Sequence, residues 1–513
     1  MRPTLPPHSL VPIACLALAC VASTALAQTP VATPTESSGL RRNAALLMLE
    51  YQTIKVPGDQ SIDLMGIHVY NQVFDGLHVG LGFYAPLFKG EYGGFVAADI
   101  GAHVRRQLSG PLFATAGLSV GGGGGGRSVE HSKVLSGTGG FAKGYLGLGY
   151  DFGDFTVGVS ATRLKFRKSA IDGTQASLFM EIPYSYLTGP FSGHGQPLPL
   201  SDDRRAAQEM GENMLSLTLD NYRQIDPRGS NKSTLRTADL QYAHFFAKDS
   251  YWFAALGLGY RGLPLYNQLL GGVGQRLRLT PNITLLGQLG VGSGGYAPEV
   301  VDTRSGLLVY PKLAAEYAVT RDLGLAFSVG YLTAPRGSSR NQTYGLTLVH
   351  HLRSGQGSAD PASTASYQGL RVSLFHQTGY HLRYRDIDQP PLQMLGLQLD
   401  IPLGQRWYLP LQASGAYNAY LGYPGYAEVL AGVGLQTLAL PGDRLQAYGQ
   451  LMAGANVHGK AAKLSAGLRY ILTERLALSL GAGHIEARSA AGNRFSSDNL
   501  AVGLDYRFAI PTR

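Results

Sequence analysis

The sequence predicts an all-β fold: a transmembrane, antiparallel, up-and-down β-barrel of about 24 strands built from three eight-strand repeats. Three observations predict it. An export signal precedes a chain rich in glycine and tyrosine and poor in charge. Segments throughout the chain alternate large apolar residues with small or polar ones. The pattern then repeats three times, with long and short connections in alternation.

The amino terminus comes first. Arg2 supplies a positive start, an apolar run spans Leu10 to Ala22, and Ala25-Leu26-Ala27 forms a small-residue cleavage site before Gln28. Residues 1–27 therefore read as a signal peptide and 28–43 as an N-terminal periplasmic segment. A lipoprotein reading through Ala17-Leu18-Ala19-Cys20 is weaker, because leucine fits the motif poorly and the apolar run continues past the cysteine. Both cysteines, Cys15 and Cys20, lie inside the signal, which excludes disulfides and cysteine metal sites from the mature chain. Of 513 residues, 68 are glycine and 29 tyrosine, and only 15% are charged. After residue 27 no apolar run approaches the ~20 residues of a spanning helix. If the chain enters a membrane, it does so with strands.

The alternation is clearest in NLAVGLDYRF (499–508). Leu500, Val502, Leu504, Tyr506 and Phe508 share one face; Ala501, Gly503, Asp505 and Arg507 share the other. LHVGLGFYAPL (77–87), KLSAGLRYIL (463–472) and RLALSLGAG (475–483) repeat the pattern. The segment ending Tyr506-Arg507-Phe508 resembles the terminal strand of bacterial outer-membrane β-barrels, which closes on an aromatic-x-Phe pattern. It departs from that pattern because residues 509–513 follow the phenylalanine. The resemblance is to a class. It implies an outer-membrane location and three partners: outer-membrane lipid, lipopolysaccharide and the assembly machinery, for which Tyr506 and Phe508 would be the signal.

Self-similarity organises the rest. GAHVRRQLSGPLFATAGLSVGGGGGG (101–126), GVGQRLRLTPNITLLGQLGVGSGGY (272–296) and GVGLQTLALPGDRLQAYGQLMAGANVHG (432–459) share a glycine-rich strand, a proline turn and a second small-residue strand. The repeats run over 44–188, 214–352 and 369–508, separated by joins at 189–213 and 353–368. In the third, eight strand-like segments cover 369–379, 392–404, 407–422, 425–440, 444–457, 462–472, 475–488 and 499–508. Short turns follow its second, fourth and sixth strands and longer polar stretches its first, fifth and seventh, including EARSAAGNRFSSDN (486–499); FRKSAIDGTQ (166–175) and APRGSSRNQT (334–343) are the matching loops. Such two-sidedness belongs to outer-membrane barrels. One wide barrel is the leading expectation, and several smaller barrels are the alternative, since eight strands suffice to close one.

Candidate chemistry is sparse. No His-x-Ser occurs, the pattern of outer-membrane lipid hydrolases, and the scattered histidines show neither nucleophile–base nor metal-ligand spacing. No catalytic residue, metal or cofactor is expected, nor is nucleic acid. The six glycines Gly121, Gly122, Gly123, Gly124, Gly125 and Gly126 do not form a phosphate loop, because no Gly-Lys-Ser/Thr follows. They are read instead as a bend that curls over the pore mouth and narrows it. Basic residues cluster in the outer loops: Arg127 and Lys133; Lys165, Arg167 and Lys168; Arg336 and Arg340; Arg488 and Arg494. They suit the phosphates of lipopolysaccharide or a mouth that attracts anions, consistent with the net charge of +9. The join SDDRRAAQEMGENM (201–214) can start a short helix capped by Ser201, either as a spacer or as a docking element for a periplasmic export partner. The functional expectation is an outer-membrane conduit, a large channel or polymer exporter. A surface adhesion anchor is the alternative, with a lipid-modifying enzyme behind it.

Overall fold

The computed structural model describes residues 41–56, 58–125, 139–197, 212–263, 266–296, 299–320, 323–352, 366–421, 425–438, 444–489 and 491–512. The signal peptide, Gly126, Arg127, Lys133 and nearly all of the 201–214 join lie outside them.

The chain folds into three separate rings. The first comprises β1 (Arg41–Ile54), β2 (Ile62–Phe74), β3 (Leu77–Ala85), β4 (Phe95–Ser109), β5 (Leu112–Gly125), β6 (Gly140–Asp151), β7 (Thr156–Phe166) and β8 (Asp172–Thr188). The second comprises β9 (Asn213–Gln224), β10 (Leu235–Phe245), β11 (Ser250–Arg261), β12 (Asn267–Arg278), β13 (Ile283–Gly295), β14 (Leu307–Ala318), β15 (Leu323–Thr333) and β16 (Arg340–Leu352). In the third, β17 (Ser366–Tyr384) folds back through the two-residue β18 (Ile387–Asp388) into β19 (Leu392–Pro402). β20 (Trp407–Ala416), β21 (Ala427–Gln436), β22 (Leu445–Asn456), β23 (Gly459–Ile471), β24 (Leu476–Arg488) and β25 (Arg494–Thr512) complete it.

Every strand pairing is antiparallel, and apart from β17 with β19, across the short β18, it joins chain neighbours except where each ring closes. β1 pairs with β8 from Arg41↔Thr188 to Gln52↔Ser177, β9 with β16, and β17 with β25. The expectation of one 24-stranded barrel is therefore corrected to three eight-stranded rings, the first two of them closed barrels. The physical reason is local. The first and last strands of each ring satisfy one another's backbone groups over nearly their full length, which leaves no free edge to join the next ring.

Eight strands enclose only enough room for side chains, and the interiors are fitted accordingly. An inward aromatic ring repeatedly lies opposite a glycine on the adjacent strand: Phe113↔Gly149, Tyr145↔Gly117, Phe179↔Gly158, Tyr251↔Gly274, Phe375↔Gly396, Tyr408↔Gly434 and Tyr448↔Gly467. A Cβ on any of these glycines would stand 2.1–2.7 Å from the ring. Much of the glycine content is thus the space that inward aromatics occupy.

The two faces of the strands exchange polarity part-way along. In β7, Val157, Val159 and Ala161 point outward and are exposed, while Thr156, Ser160 and Thr162 are buried inside. Two residues later, Arg163 and Lys165 are outside and Leu164 and Phe166 inside. β24 does the same, passing from exposed Leu478 and Leu480 to outward His484 and Arg488, with Ile485 and Ala487 buried. This also explains the loops. Arg488 ends β24 and Arg494 begins β25, so 486–499 is mostly strand. The alternation there switches sense instead of stopping, and a segment with charges outside reads as a loop. The connection at 457–458 is likewise only two residues long, although it lies at the end where longer loops were expected.

Candidate functional site: the filled lumens and the space between the barrels

The strands place titratable side chains in each lumen at inward positions. In the first barrel, Lys143 bonds to Glu50 and to the Tyr84 hydroxyl (3.1 Å). That hydroxyl donates to Asp99 (2.6 Å), as does Ser119 (2.5 Å), and His68 Nε2 lies 3.3 Å from Glu50. Nearer the tight turns, His103 shares a hydrogen bond with Tyr145 (2.6 Å) and lies 3.3 Å from Glu181, which also accepts from Thr156. In the second barrel Lys312 pairs with Asp220 (2.8 Å), and His351 stands between Glu212 and Glu316 (2.9 and 2.7 Å). Glu212 precedes β9; burial opposes its charge, but the His351 hydrogen bond and Arg276 hold its pKa down at about 2. In the third ring Arg371 bonds Asp400 (2.7 Å) and Arg469 bonds Asp505 (2.5 Å), below a layer of Gln398, Gln450, Gln377 and Gln412 around Lys463. A polar cavity of only about 50 Å³ is left among them.

Each lumen is sealed at the loop end by an apolar plug. Ile54, Ile62, Phe95, Phe141 and Phe166 build the first; Tyr222, Leu235, Leu270 and Leu332 the second; Leu382, Met394, Leu430, Ile485 and Phe495 the third. No continuous wide lumen is available among the described residues.

A second space, larger than the polar cavity of the third ring, lies between the barrels. A cavity of about 470 Å³ is walled by outward faces of all three, including Leu81 and Phe83 of β3, Leu258 of β11, Leu374 of β17, Leu397 of β19 and Val429 of β21. Its loop-end rim is a set of close inter-barrel contacts. Asn267 donates to the Gly94 carbonyl (2.6 Å), and Gly93 N–H to that of Arg304 (2.7 Å), joining the second barrel to the first. On the other side, a Cβ on Gly122 would stand 3.1 Å from Cβ of Tyr417, and one on Gly425 would stand 3.0 Å from Gly125 N. At the opposite end Gly189 and Ala509 exchange two backbone hydrogen bonds, 2.8 and 3.1 Å, joining the first barrel to the third.

The glycine run belongs to this site. Gly121 to Gly125 do not curl over a pore; they continue β5 in regular register with β4, from Gly121↔Asp99 to Gly125↔Phe95. Their backbone hydrogen bonds to β4 hold them in the wall, and the missing side chains admit the neighbouring ring. The basic residues are placed differently from a single mouth. Lys165, Arg167 and Lys168 crown the first barrel, Arg336 and Arg340 the second, and Arg488 and Arg494 the third, all exposed. Lys165 pairs with Asp172 (3.0 Å), Arg494 with Glu486, and Arg488 lies opposite Arg494 in the ladder. Tyr506 and Phe508 lie on the outward face of β25 near the tight turns, their rings 5.5 Å apart, and β25 runs on to Thr512. Among the described residues no cluster of three or more His, Cys, Asp or Glu side chains is arranged to hold a metal.

No protein-family model and no curated protein matches the chain. Solved structures that align with it are β-barrels. One comes from a study of de novo designed transmembrane β-barrels, at 14% identity over 28% of this chain and 98% of that one, with a TM-score of 0.20. The siderophore receptor PiuA from Acinetobacter baumannii aligns at 9% identity over 91% and 81%, with a TM-score of 0.29. The alcaligin outer-membrane receptor FauA from Bordetella pertussis aligns at 10% over 91% and 75%, with a TM-score of 0.27. Scores this low carry no argument, so the functional reading rests on the polarity of the barrels themselves.

Proposed function

We propose that the chain is an integral outer-membrane protein with a transport role, in which three small barrels lie side by side and molecules are held or passed between them. The observation that carries this reading is the exchange of polarity along the strands. Leu118, Leu146 and Leu464 are 73%, 70% and 64% exposed on the outside, over lumens that hold Lys143, Glu181 and Arg469. In water such contiguous apolar surface would drive association. In a bilayer it faces acyl chains while the polar groups pair inside, and beyond the bilayer edge both preferences reverse, as β7 and β24 do.

The expectation of a polymer conduit rested on a wide lumen, and rings filled by their own side chains do not offer one. The reading includes no catalytic step. Two measurements test it. In flotation with phospholipid vesicles the protein is expected to float and to resist carbonate extraction; release by carbonate would remove the membrane reading. In planar bilayers the purified protein is expected to lack the large current steps of an open porin, and regular steps of that size would overturn the filled lumens.

A further inference from the structure

We infer that the space between the three barrels is a binding site for the acyl chain of a membrane lipid, held as a tightly retained component of the fold. The inference rests on the membrane reading above and goes beyond it by naming the ligand chemistry and the residues that form the site.

The walls are outward strand faces, so their side chains are Leu81, Phe83, Leu258, Leu374, Leu397 and Val429 instead of the paired charges of the lumens. Water is a poor occupant, because a bound water needs two to four polar partners and, apart from Asp99 Oδ1, the polar side chains named next already have theirs. Asn267 is committed to Gly94, the Tyr417 hydroxyl to His376 (2.9 Å), Asp99 to Tyr84 and Ser119, and Glu428 to Tyr426 (2.9 Å). The volume of about 470 Å³ falls within the range of small-molecule sites. Gly122, Gly125, Tyr417 and Gly425 meet at the loop-end rim and bring the first and third rings together there. The same outward faces continue into the surface that the membrane reading places in lipid, so the apolar occupant at hand is an acyl chain. The glycine run thereby gains a role: it lets β5 approach the third ring and form one edge of the site.

The test is native mass spectrometry on protein extracted in one mild detergent and washed extensively in a second. The wild type is expected to retain an acyl lipid in fixed stoichiometry, and to regain it when palmitoyl-oleoyl phosphatidylethanolamine is added back after stripping. The mass of the retained species distinguishes a phospholipid from lipid A; both carry the chain the site requires. Gly415→Trp should abolish retention, because Gly415 lines the cavity and its Cβ would meet only the Tyr426 carbonyl, at 4.0 Å. Ala413→Phe fills the same space from the same strand. Ala161→Trp, on the exposed outer face of β7 away from the cavity, should retain the lipid. Heat-modifiable migration of each variant verifies that its barrels have formed. A wild type that floats with vesicles yet carries no lipid after washing would overturn this inference alone, as would folded Gly415→Trp and Ala413→Phe proteins that keep it. A wild type that fails to float would instead remove the membrane reading.

Discussion

The first and third rings share strand number, direction and mode of closure, yet their interiors are held by different chemistry. In the first, Lys143 serves Glu50 and Tyr84 and through Tyr84 reaches Asp99, while a second cluster of His103, Arg105 and Glu181 lies nearer the tight turns. The third divides its charge into two arginine–aspartate pairs and bonds its lysine to glutamine amides, Gln377 at 2.6 Å and Gln412 at 3.4 Å, with Glu428 further off at 3.8 Å. The outer faces of both carry exposed apolar side chains, Leu118 and Leu146 on the first and Leu464 and Leu480 on the third. The lumens are free to differ, provided that every buried polar group finds partners. The difference teaches that the exterior defines the class while each lumen defines an individual barrel.

The largest expected effect breaks the first ring at Lys143, its fully buried lysine. Lys143→Met leaves Glu50 buried without its principal partner and should destabilise the protein by about 3–5 kcal/mol. Lys463→Met removes hydrogen bonds to two neutral amides and a longer ion pair with Glu428 (3.8 Å), a carboxylate that keeps its bonds from Tyr426 and Ser414, and should cost less, about 1–3 kcal/mol. Urea unfolding of both variants in lipid vesicles measures the contrast, and equal losses would erase the distinction between the two fillings.

Acid should then separate the two plugs. His458, in the turn between β22 and β23, stacks on Tyr384 and hydrogen-bonds the Tyr420 hydroxyl (2.5 Å). Burial and, secondarily, the nearby Arg385 lower its pKa from 6.5 to about 4. Because the folded value is depressed, its contribution is complete above pH 6.5 and is lost as the pH falls toward 4, up to about 3 kcal/mol. Hydrogen exchange at the loop end of the third ring should quicken over that window. The plug of the first ring, built from Ile, Leu, Val, Phe, Tyr and Ala side chains, should not respond.

The seam between the two rings offers a smaller test. Gly122→Leu forces a branched side chain against Tyr417, at about 1–3 kcal/mol, and should increase protease access near Gly425 without disturbing the pairing of β17 with β25. The smallest effect belongs to the rim. Arg163→Ala and Lys165→Ala remove exposed partners of Asp172 and should leave the unfolding midpoint unchanged. A measurable loss there would mean that the crown of the first ring is a structural network.

Strands were legible because alternation is written locally. Each of the eight segments expected in the third repeat contains a strand, although 462–472 begins three residues late and 499–508 is shorter than β25 at both ends. Closure was not legible, because alternation is the same whether β8 pairs with β1 or with β9; only contacts between residues far apart in the chain decide it. The lumen pairs were hidden for the same reason, Glu50 and Lys143 being 93 positions apart. A signal of narrow rings was nevertheless present. Inward aromatics such as Phe113 and Tyr408 face glycines one strand away, Gly149 and Gly434, and a wide water-filled lumen has no need of that fit. Of the two expectations for the basic loop residues, lipopolysaccharide phosphates or one anion-attracting mouth, the single mouth depends on a single barrel, and three rings distribute the residues over three rims.

The glycine seam of β5 has a consequence for how such an assembly can diversify. A symmetric trimer of identical chains must use every contact patch three times, so a run of glycines that suits one interface also weakens the strand wherever no neighbour needs it. Here the rings are held by one continuous chain, whose linkage keeps them at high effective concentration whatever the dilution. Gly122 and Gly125 meet Tyr417 and Gly425 at a single junction, while the junction between the first and second rings uses Asn267 and Gly94 instead. Fusion releases each ring from symmetry, and each can then specialise the side it shows to its neighbours.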